Sequence, residues 1–128
     1  MAQTVELLSV KYAFDETANC IYEIPRGLKL VGINDVGFPL CIDPEQRLVL
    51  WDPDRRECCY LAPGVKAFSA LVEQTKHIDG SQPVRLYASE LRKILSAVDP
   101  ALLSGGFWDA ILEEIDREAK YEDEDSQA

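Results

Sequence analysis

The chain has little that would favour a catalytic or nucleic-acid-binding protein. It has one histidine in 128 residues, and its 13 Lys and Arg are outnumbered by 23 Asp and Glu. The formal net charge of −10 argues against binding to nucleic acid, which needs a basic patch, and against a polybasic membrane-surface protein. No apolar run approaches the about 18 residues of a transmembrane helix. The N-terminus has no basic segment before a long apolar run, so we expect no signal peptide and a cytoplasmic protein.

The sequence also lacks the motifs of common catalytic and metal sites. Its glycines form neither a dinucleotide-binding motif nor a P-loop. One histidine, His77, and four scattered cysteines do not supply the paired ligands of a zinc site. A calcium-loop pattern begins at Asp52, but Arg55 and Arg56 bring positive charge to the positions of the next ligands. We therefore expect no enzyme activity, no metal and no other cofactor.

The cysteines favour free thiols. Cys20, Cys41, Cys58 and Cys59 form neither a Cys-x-x-Cys pair nor the spacing of a disulfide framework. In a cytoplasmic protein such thiols stay reduced. The sequence therefore predicts no structural disulfide.

The composition permits a hydrophobic core of ordinary size. Hydrophobic residues make up 47 % of the chain, and its length suits one domain. Four consecutive acidic residues, 122–125, lie in a C-terminal segment with almost nothing apolar. We therefore predict a single domain over residues 1–120 and an acidic, frayed tail over residues 121–128.

The first half of the chain has the pattern of short β-strands. The predicted strands are 5–14, 20–24, 28–33, 38–42, 48–51 and 58–61. Asn, Asp, Pro and Gly residues separate several of these runs, as in the segments 34–37, 43–46 and 52–55. Such spacing predicts an antiparallel meander of about five or six strands.

The second half has helical spacing. Apolar residues predict helices that begin near Val65, Ser89 and Gly106, with Ser89 as an N-cap and Pro100 opening a short turn. The apolar residues of the last helix that we expect in the core are Phe107, Trp108, Ile111 and Ile115. The complete pattern predicts an α+β fold, in which helices flank a twisted antiparallel sheet.

Acidic residues lie in or beside two successive connections between predicted strands. Solvated turns are their ordinary interpretation, and a partner-binding surface is the alternative. Trp51 ends a strand beside the second acidic turn, where it serves either the core or a binding contact. The residues of this candidate partner-binding surface are Asp43, Glu45, Trp51, Asp52, Asp54 and Glu57. They come together if the strands that they join are neighbours.

The order of these segments resembles a known family. Residues 28–35 (LKLVGIND) lead to 39–52 (PLCIDPEQRLVLWD). Further on, 98–102 (VDPAL) precedes 106–108 (GFW) and 111–115 (ILEEI). This order is similar to that of the SUKH superfamily of bacterial immunity proteins, nearest its fourth subgroup, over residues 24–116. The glycine usual in the turn after Asp43 is absent, and Gln46 and Arg47 stand in its place.

The resemblance implies a small α+β protein that binds a cognate bacterial polymorphic toxin tightly and neutralises it. It also implies that the protein is not an enzyme. The acidic charge favours a basic toxin domain, such as a nuclease. The alternative is a protein-interaction or regulatory module of the same fold with no toxin partner. In either case we expect a protein partner rather than nucleic acid or a membrane, and a monomer or weak homo-oligomer.

Overall fold

The computed structural model describes residues 3–7, 10–15, 20–78, 84–104 and 106–126. Of these, the side chains of residues 3, 77, 78, 84–86 and 119–126 are not described. The chain divides into two compact units, residues 1–72 and residues 73–128.

Over the described residues, six strands form one sheet in which each strand pairs antiparallel with the next along the chain. The strands are β1 Gln3–Leu7, β2 Val10–Phe14, β3 Lys29–Asn34, β4 Pro39–Ile42, β5 Leu48–Asp52 and β6 Glu57–Ala62. The helices are α1 Val65–Ile78, α2 Val84–Val98 and α3 Trp108–Ser126, with a 3₁₀ helix, Pro100–Ser104, between the last two. The predicted α+β class is confirmed, with an antiparallel sheet in the N-terminal half and helices after it.

The predicted single strand at 5–14 is wrong, because this segment forms two strands. β1 and β2 pair as a hairpin with Leu7 opposite Val10. The two residues that join these strands lie outside the described part of the chain. These residues are Leu8 and Ser9, and serine is a weaker turn former than Gly, Pro, Asn or Asp, so the turn signal at this point is weak.

The predicted strand at 20–24 is also wrong. The backbone N–H of Tyr22 donates to the Cys20 Sγ at 3.4 Å, which is a local bend rather than a ladder bond. The Tyr22 ring packs edge-on against Phe38 at a centroid distance of 5.8 Å. This segment is therefore part of the long connection between β2 and β3, which passes the turn between β3 and β4.

The first unit buries an aromatic cluster between the sheet and α1. Phe68 on α1 is fully buried, and its ring lies 5.3 Å from Tyr12 and 6.0 Å from Phe14, both in edge-on geometry. Each such pair contributes about 0.5–1.5 kcal/mol beyond the burial of its area. Burial also raises the pKa of Tyr12 to about 12, with a further contribution from the charge of Asp35. The Tyr12 hydroxyl is therefore neutral at physiological pH.

The second unit packs α3 against α2 and against the 3₁₀ helix. Trp108 and Leu102 are completely buried, and Ile115 is 6 % exposed. The predicted core position of Trp108 and Ile115 is therefore confirmed, whereas Phe107 and Ile111 are only half-buried.

The predicted start of α2 at Ser89 is wrong. The helix begins at Val84, directly after a proline in the sequence, and Ser89 is an exposed residue inside it. Proline before a first helical turn is a start signal, because its φ already suits a helix and its missing N–H is not needed there. Residues 79–83 lie outside the described part of the chain.

α3 continues to Ser126, so most of the predicted acidic tail has helical backbone. The side chains of this segment and residues 127 and 128 lie outside the described part, and fraying of the end stays a prediction. None of the helices in the described ranges combines the length and apolar content that a membrane span requires.

Candidate functional site

The turn between β4 and β5 is organised by the side chain of Asp43. Its Oδ1 accepts hydrogen bonds from the backbone N–H groups of Glu45 at 2.9 Å and Arg47 at 2.8 Å. Its Oδ2 accepts from the Arg47 Nε at 2.9 Å. Asp43 is only 7 % exposed, so this carboxylate is a structural acceptor with little surface for a partner.

Electrostatics support the same role. Burial alone would raise the pKa of the Asp43 carboxyl, but the hydrogen bonds and charge of Arg47 outweigh it and hold that pKa below its usual value. The Arg47 guanidinium also lies 3.6 Å from the Glu45 carboxylate and stacks over the Tyr60 ring at 5.4 Å. The negative charge of this turn is therefore largely compensated at the place where it arises.

The turn between β5 and β6 begins with a similar Asp-Pro pair. The Asp52 Oδ1 accepts from the N–H of Asp54 at 2.9 Å and of Arg55 at 3.2 Å. Asp52 lies opposite Glu57 in the ladder, and the Arg55 guanidinium is 4.0 Å from the Glu57 carboxylate. Both Asp54 and Glu57 are exposed, so this turn presents carboxylates to solvent.

The sheet topology separates the predicted residues into two groups. Consecutive hairpins of an antiparallel meander turn at opposite ends of the sheet, so Asp43 and Glu45 lie at one end of β5, and Asp52, Asp54 and Glu57 lie at the other. The expectation that all five carboxylates come together because their strands are neighbours is therefore wrong. Neighbouring strands bring only alternate turns to the same end.

The hairpin end that carries Asp52 also carries Trp51. Trp51 is half-buried and lies opposite the exposed Cys58 in the ladder. The Trp51 side chain is therefore neither fully in the core nor fully in solvent. Trp51, Asp52, Asp54 and Glu57 remain together as a candidate surface.

Two exposed apolar residues that the sequence analysis did not single out lie at this end of the sheet. Val36, 65 % exposed, is in the turn between β3 and β4, which shares its end with the turn between β5 and β6. Ile21, 92 % exposed, is held beside that turn because the Cys20 thiol donates to the Gly37 carbonyl at 3.5 Å. The sequence offered one signal for these exposed residues. Val36 lies inside the otherwise polar turn 34–37, which predicts an exposed apolar side chain. We call this set the tip surface; its residues are Ile21, Val36, Trp51, Asp52, Asp54 and Glu57.

No known protein family, curated protein or solved structure gives a significant match to this chain. The candidate site therefore rests on the geometry of the tip surface and on the chemistry of its residues.

The thiols of Cys41, Cys58 and Cys59 are poor nucleophiles. Burial raises the pKa of Cys41 to about 12, with smaller contributions from Cys58 and Cys20. Burial also raises the pKa of Cys58 and of Cys59. Nucleophilic cysteines need the thiolate, and these groups are protonated at neutral pH. All four cysteines are free of disulfide bonds.

The described residues contain no group of three or more His, Cys, Asp or Glu side chains placed to hold a metal ion. His77 lies in the last turn of α1, where its side chain is outside the described set. The tip surface places exposed apolar side chains and exposed carboxylates at one end of the sheet.

Proposed function

We propose that this protein is an immunity-type binding protein, which neutralises a cognate bacterial toxin by docking its tip surface on the toxin domain. The observation that carries the proposal is the composition of this surface. Two apolar side chains, Ile21 and Val36, stand exposed at the same end of the sheet as the exposed carboxylates of Asp54 and Glu57. Protein interfaces combine such apolar anchors with a polar rim.

The resemblance to the SUKH superfamily supports the immunity role. In its C-terminal motif, the Asp99 Oδ1 accepts from the N–H of Ala101 at 3.0 Å, and the Asp99 carbonyl accepts from Leu102 at 3.0 Å. Asp99 thus caps the 3₁₀ helix, and the Leu102 and Trp108 side chains of the same motif are completely buried. The motif residues therefore serve the fold and leave the exposed surface free to vary with the toxin.

The partner that we propose is a basic enzyme domain, such as a nuclease. The net charge of −10 attracts such a domain, and an acidic rim would compete with its phosphate-bearing substrate. This end of the sheet contributes little of this charge, since five acidic residues face three basic ones there. These residues are Glu6, Asp35, Asp52, Asp54 and Glu57 against Lys11, Arg55 and Arg56. We therefore assign specificity to the tip and long-range attraction to the whole chain.

Co-expression with the product of the neighbouring toxin gene tests the proposal. The parent protein should rescue growth and purify together with the toxin. Ile21→Ser and Val36→Ser should each weaken binding by about ten-fold, because both remove an apolar contact without disturbing the core. Val98→Ser is the matched control, since Val98 is also an exposed valine, at 40 %, but belongs to α2. A loss of binding with Val98→Ser alone would move the site away from the tip.

Charge reversal tests the acidic rim separately. Asp54→Lys and Glu57→Lys leave the Asp52 hydrogen bonds of the turn in place and should slow association, more so at low salt. Glu45→Lys is the control at the opposite end of the sheet, where its side chain is 73 % exposed. No growth rescue and no complex with the parent protein would favour the interaction module without a toxin partner.

A further inference from the structure

The second unit, residues 73–128, which we call the helical unit, contains a small cleft. Its volume is about 190 Å³, below the about 300–1,000 Å³ of clefts that enclose a drug-sized molecule. Its lining residues are Arg92, Leu103, Asp109, Leu112 and Glu113. A cleft of this size admits one long side chain rather than a whole metabolite.

The charges of the lining favour a cation. The Arg92 guanidinium is engaged by the Asp116 carboxylate at 2.6 Å, so its charge is already compensated. Asp109 and Glu113 are four residues apart on α3 and therefore lie on one face of the helix. The Asp109 Oδ1 accepts from the backbone N–H of Ala110 at 3.1 Å, and neither carboxylate forms an ion pair with a described side chain. An anion would meet both of these charges, whereas a cation would relieve their mutual repulsion.

The apolar part of the lining suits an alkyl stem. Leu112 is 4 % exposed and Leu103 is half-buried, so the two leucines form an apolar wall beside the carboxylates. Lysine and arginine side chains lay their methylene stems on such surfaces and keep the charged group at a polar rim. The cleft offers both parts of this arrangement.

We propose that this cleft binds the side chain of a lysine or arginine from a basic segment of a partner protein. The proposal goes beyond the tip surface and needs no toxin, since all of its residues belong to the helical unit. The two proposals are therefore independent, and the failure of one would not contradict the other.

Titration of the ¹⁵N-labelled full chain with Nα-acetyl-lysine N-methylamide, whose side-chain ammonium is free, tests the proposal by NMR. Saturable shifts are expected at the amides of Leu103, Asp109, Leu112 and Glu113. Glu113→Gln should weaken the apparent affinity about two- to five-fold, the range of ion pairs at exposed sites. Glu114→Gln is the matched control on the next residue of α3, where the carboxylate pairs with Arg117 at 3.2 Å and is not part of the cleft. The control should change the affinity less than Glu113→Gln does.

Two further probes separate the contributions of the charged group, the alkyl stem and the peptide backbone to binding. Acetyl-norleucine methylamide has a similar stem without the charge, and it should bind more weakly than the lysine probe. n-Butylammonium has the charge without a peptide backbone, and it should bind no more tightly than the lysine probe. Equal losses from Glu113→Gln and Glu114→Gln, or shifts spread along the whole of α3, would show nonspecific attraction and overturn the proposal. Tighter binding of n-butylammonium would overturn it too, because the cleft would then exclude a peptide.

Discussion

The unit formed by residues 1–72 and the unit formed by residues 73–128 use acidic side chains differently. The first has ten Asp and Glu against seven Lys and Arg, a net charge of −3, and the second has 13 against six, a net charge of −7. α3 alone has nine acidic residues against two basic ones, so its net charge equals that of the whole second unit. The negative charge of the protein thus comes mainly from one helix.

In the first unit, carboxylates stabilise turns by accepting hydrogen bonds from the backbone. Asp43 and Asp52 each accept hydrogen bonds from backbone N–H groups of their turns. Arginines follow in the same turns, and Arg47 pairs with both Asp43 and Glu45. Acidic residues in hairpin turns are therefore weak evidence for an acidic binding patch, because the turn itself explains them.

In the second unit, carboxylates lie on the outside of a helix that is held by apolar contacts. Its buried residues include Trp108, Leu112 and Ile115, whereas Glu113, Glu114 and Glu118 are exposed. The comparison makes a general prediction. The first unit should be sensitive to changes in its backbone geometry and turns, and the second to loss of buried side-chain volume.

Trp108→Ala should have the largest effect. The side chain is completely buried, and truncating a buried Trp typically costs about 3–5 kcal/mol, a large share of the stability of a small domain. Urea denaturation followed by circular dichroism measures the loss. Phe107→Ala, at the half-buried neighbour, should cost less. Equal effects of the two variants would show that burial does not decide stability in this unit.

Gly32→Ala tests the first unit. A Cβ at this position would lie 2.2 Å from the Ala13 carbonyl oxygen and 3.0 Å from the Phe14 Cα, and neither backbone atom can move away cheaply. We expect a loss of about 2–3 kcal/mol, the upper part of the usual range for overpacking. Gly64→Ala is the control, because a Cβ there meets no atom within 4 Å. A tolerated Gly32→Ala would mean that β2 and β3 can separate locally without loss.

Much of the fold was predictable from the residues, and the failures have physical reasons. The strands at Lys29–Asn34 and Leu48–Asp52 and the helix starting at Val65 follow from apolar periodicity bounded by strong turn residues. The segment 20–24 contains the isoleucine and tyrosine residues that strands favour, but its backbone bends locally at Cys20. Residue type reports which side chains are apolar and does not report which backbone groups find a partner.

The candidate site was less predictable. The sequence indicated Trp51, Asp52, Asp54 and Glu57, which the sheet brings to one end, and it also indicated Asp43 and Glu45, which lie at the other. The turn with Asp43 leads into β5 and the turn with Asp52 leaves it, so they lie at opposite ends of that strand whatever the strand order is. The predicted meander already implied this separation. Ile21 was missed because its exposure depends on contacts of Cys20 and Tyr22 with another turn.

Asp43→Asn should reveal the structural role of a turn carboxylate through its dependence on pH. The folded-state pKa of Asp43 is below the usual 3.8, so the carboxylate contributes stability that is fully present above that value and is lost as pH falls through the folded-state pKa. We expect a loss of about 1–3 kcal/mol at neutral pH, where the variant lacks the charged hydrogen bonds to Arg47. The difference from the parent should shrink in acid.

Denaturant titrations at neutral pH and at about pH 3 measure this difference. Asp54→Asn is the control, because Asp54 is exposed in a turn of the same unit but its own carboxylate organises no turn. A difference between Asp43→Asn and the parent that stays constant down to acid pH would contradict the assignment of the ion pair with Arg47.

The smallest effect comes from exchanging glycine between two turns with the same hydrogen bonds. Asn34 and Asp43 each accept through Oδ1 from the second and fourth following N–H groups, and each carbonyl accepts from the third. That third residue has a positive φ in both turns, 87° at Gly37 and 67° at Gln46. A residue with a Cβ is strained there, so Gln46→Gly should stabilise the protein by about 0.5–1 kcal/mol and Gly37→Ala should destabilise it by a similar amount. Gln46→Ala keeps the Cβ and should change the free energy of unfolding less than either of these variants. If Gln46→Ala stabilised the protein as much as Gln46→Gly, the long side chain rather than the backbone would be the source of strain. The two turns would then not be equivalent.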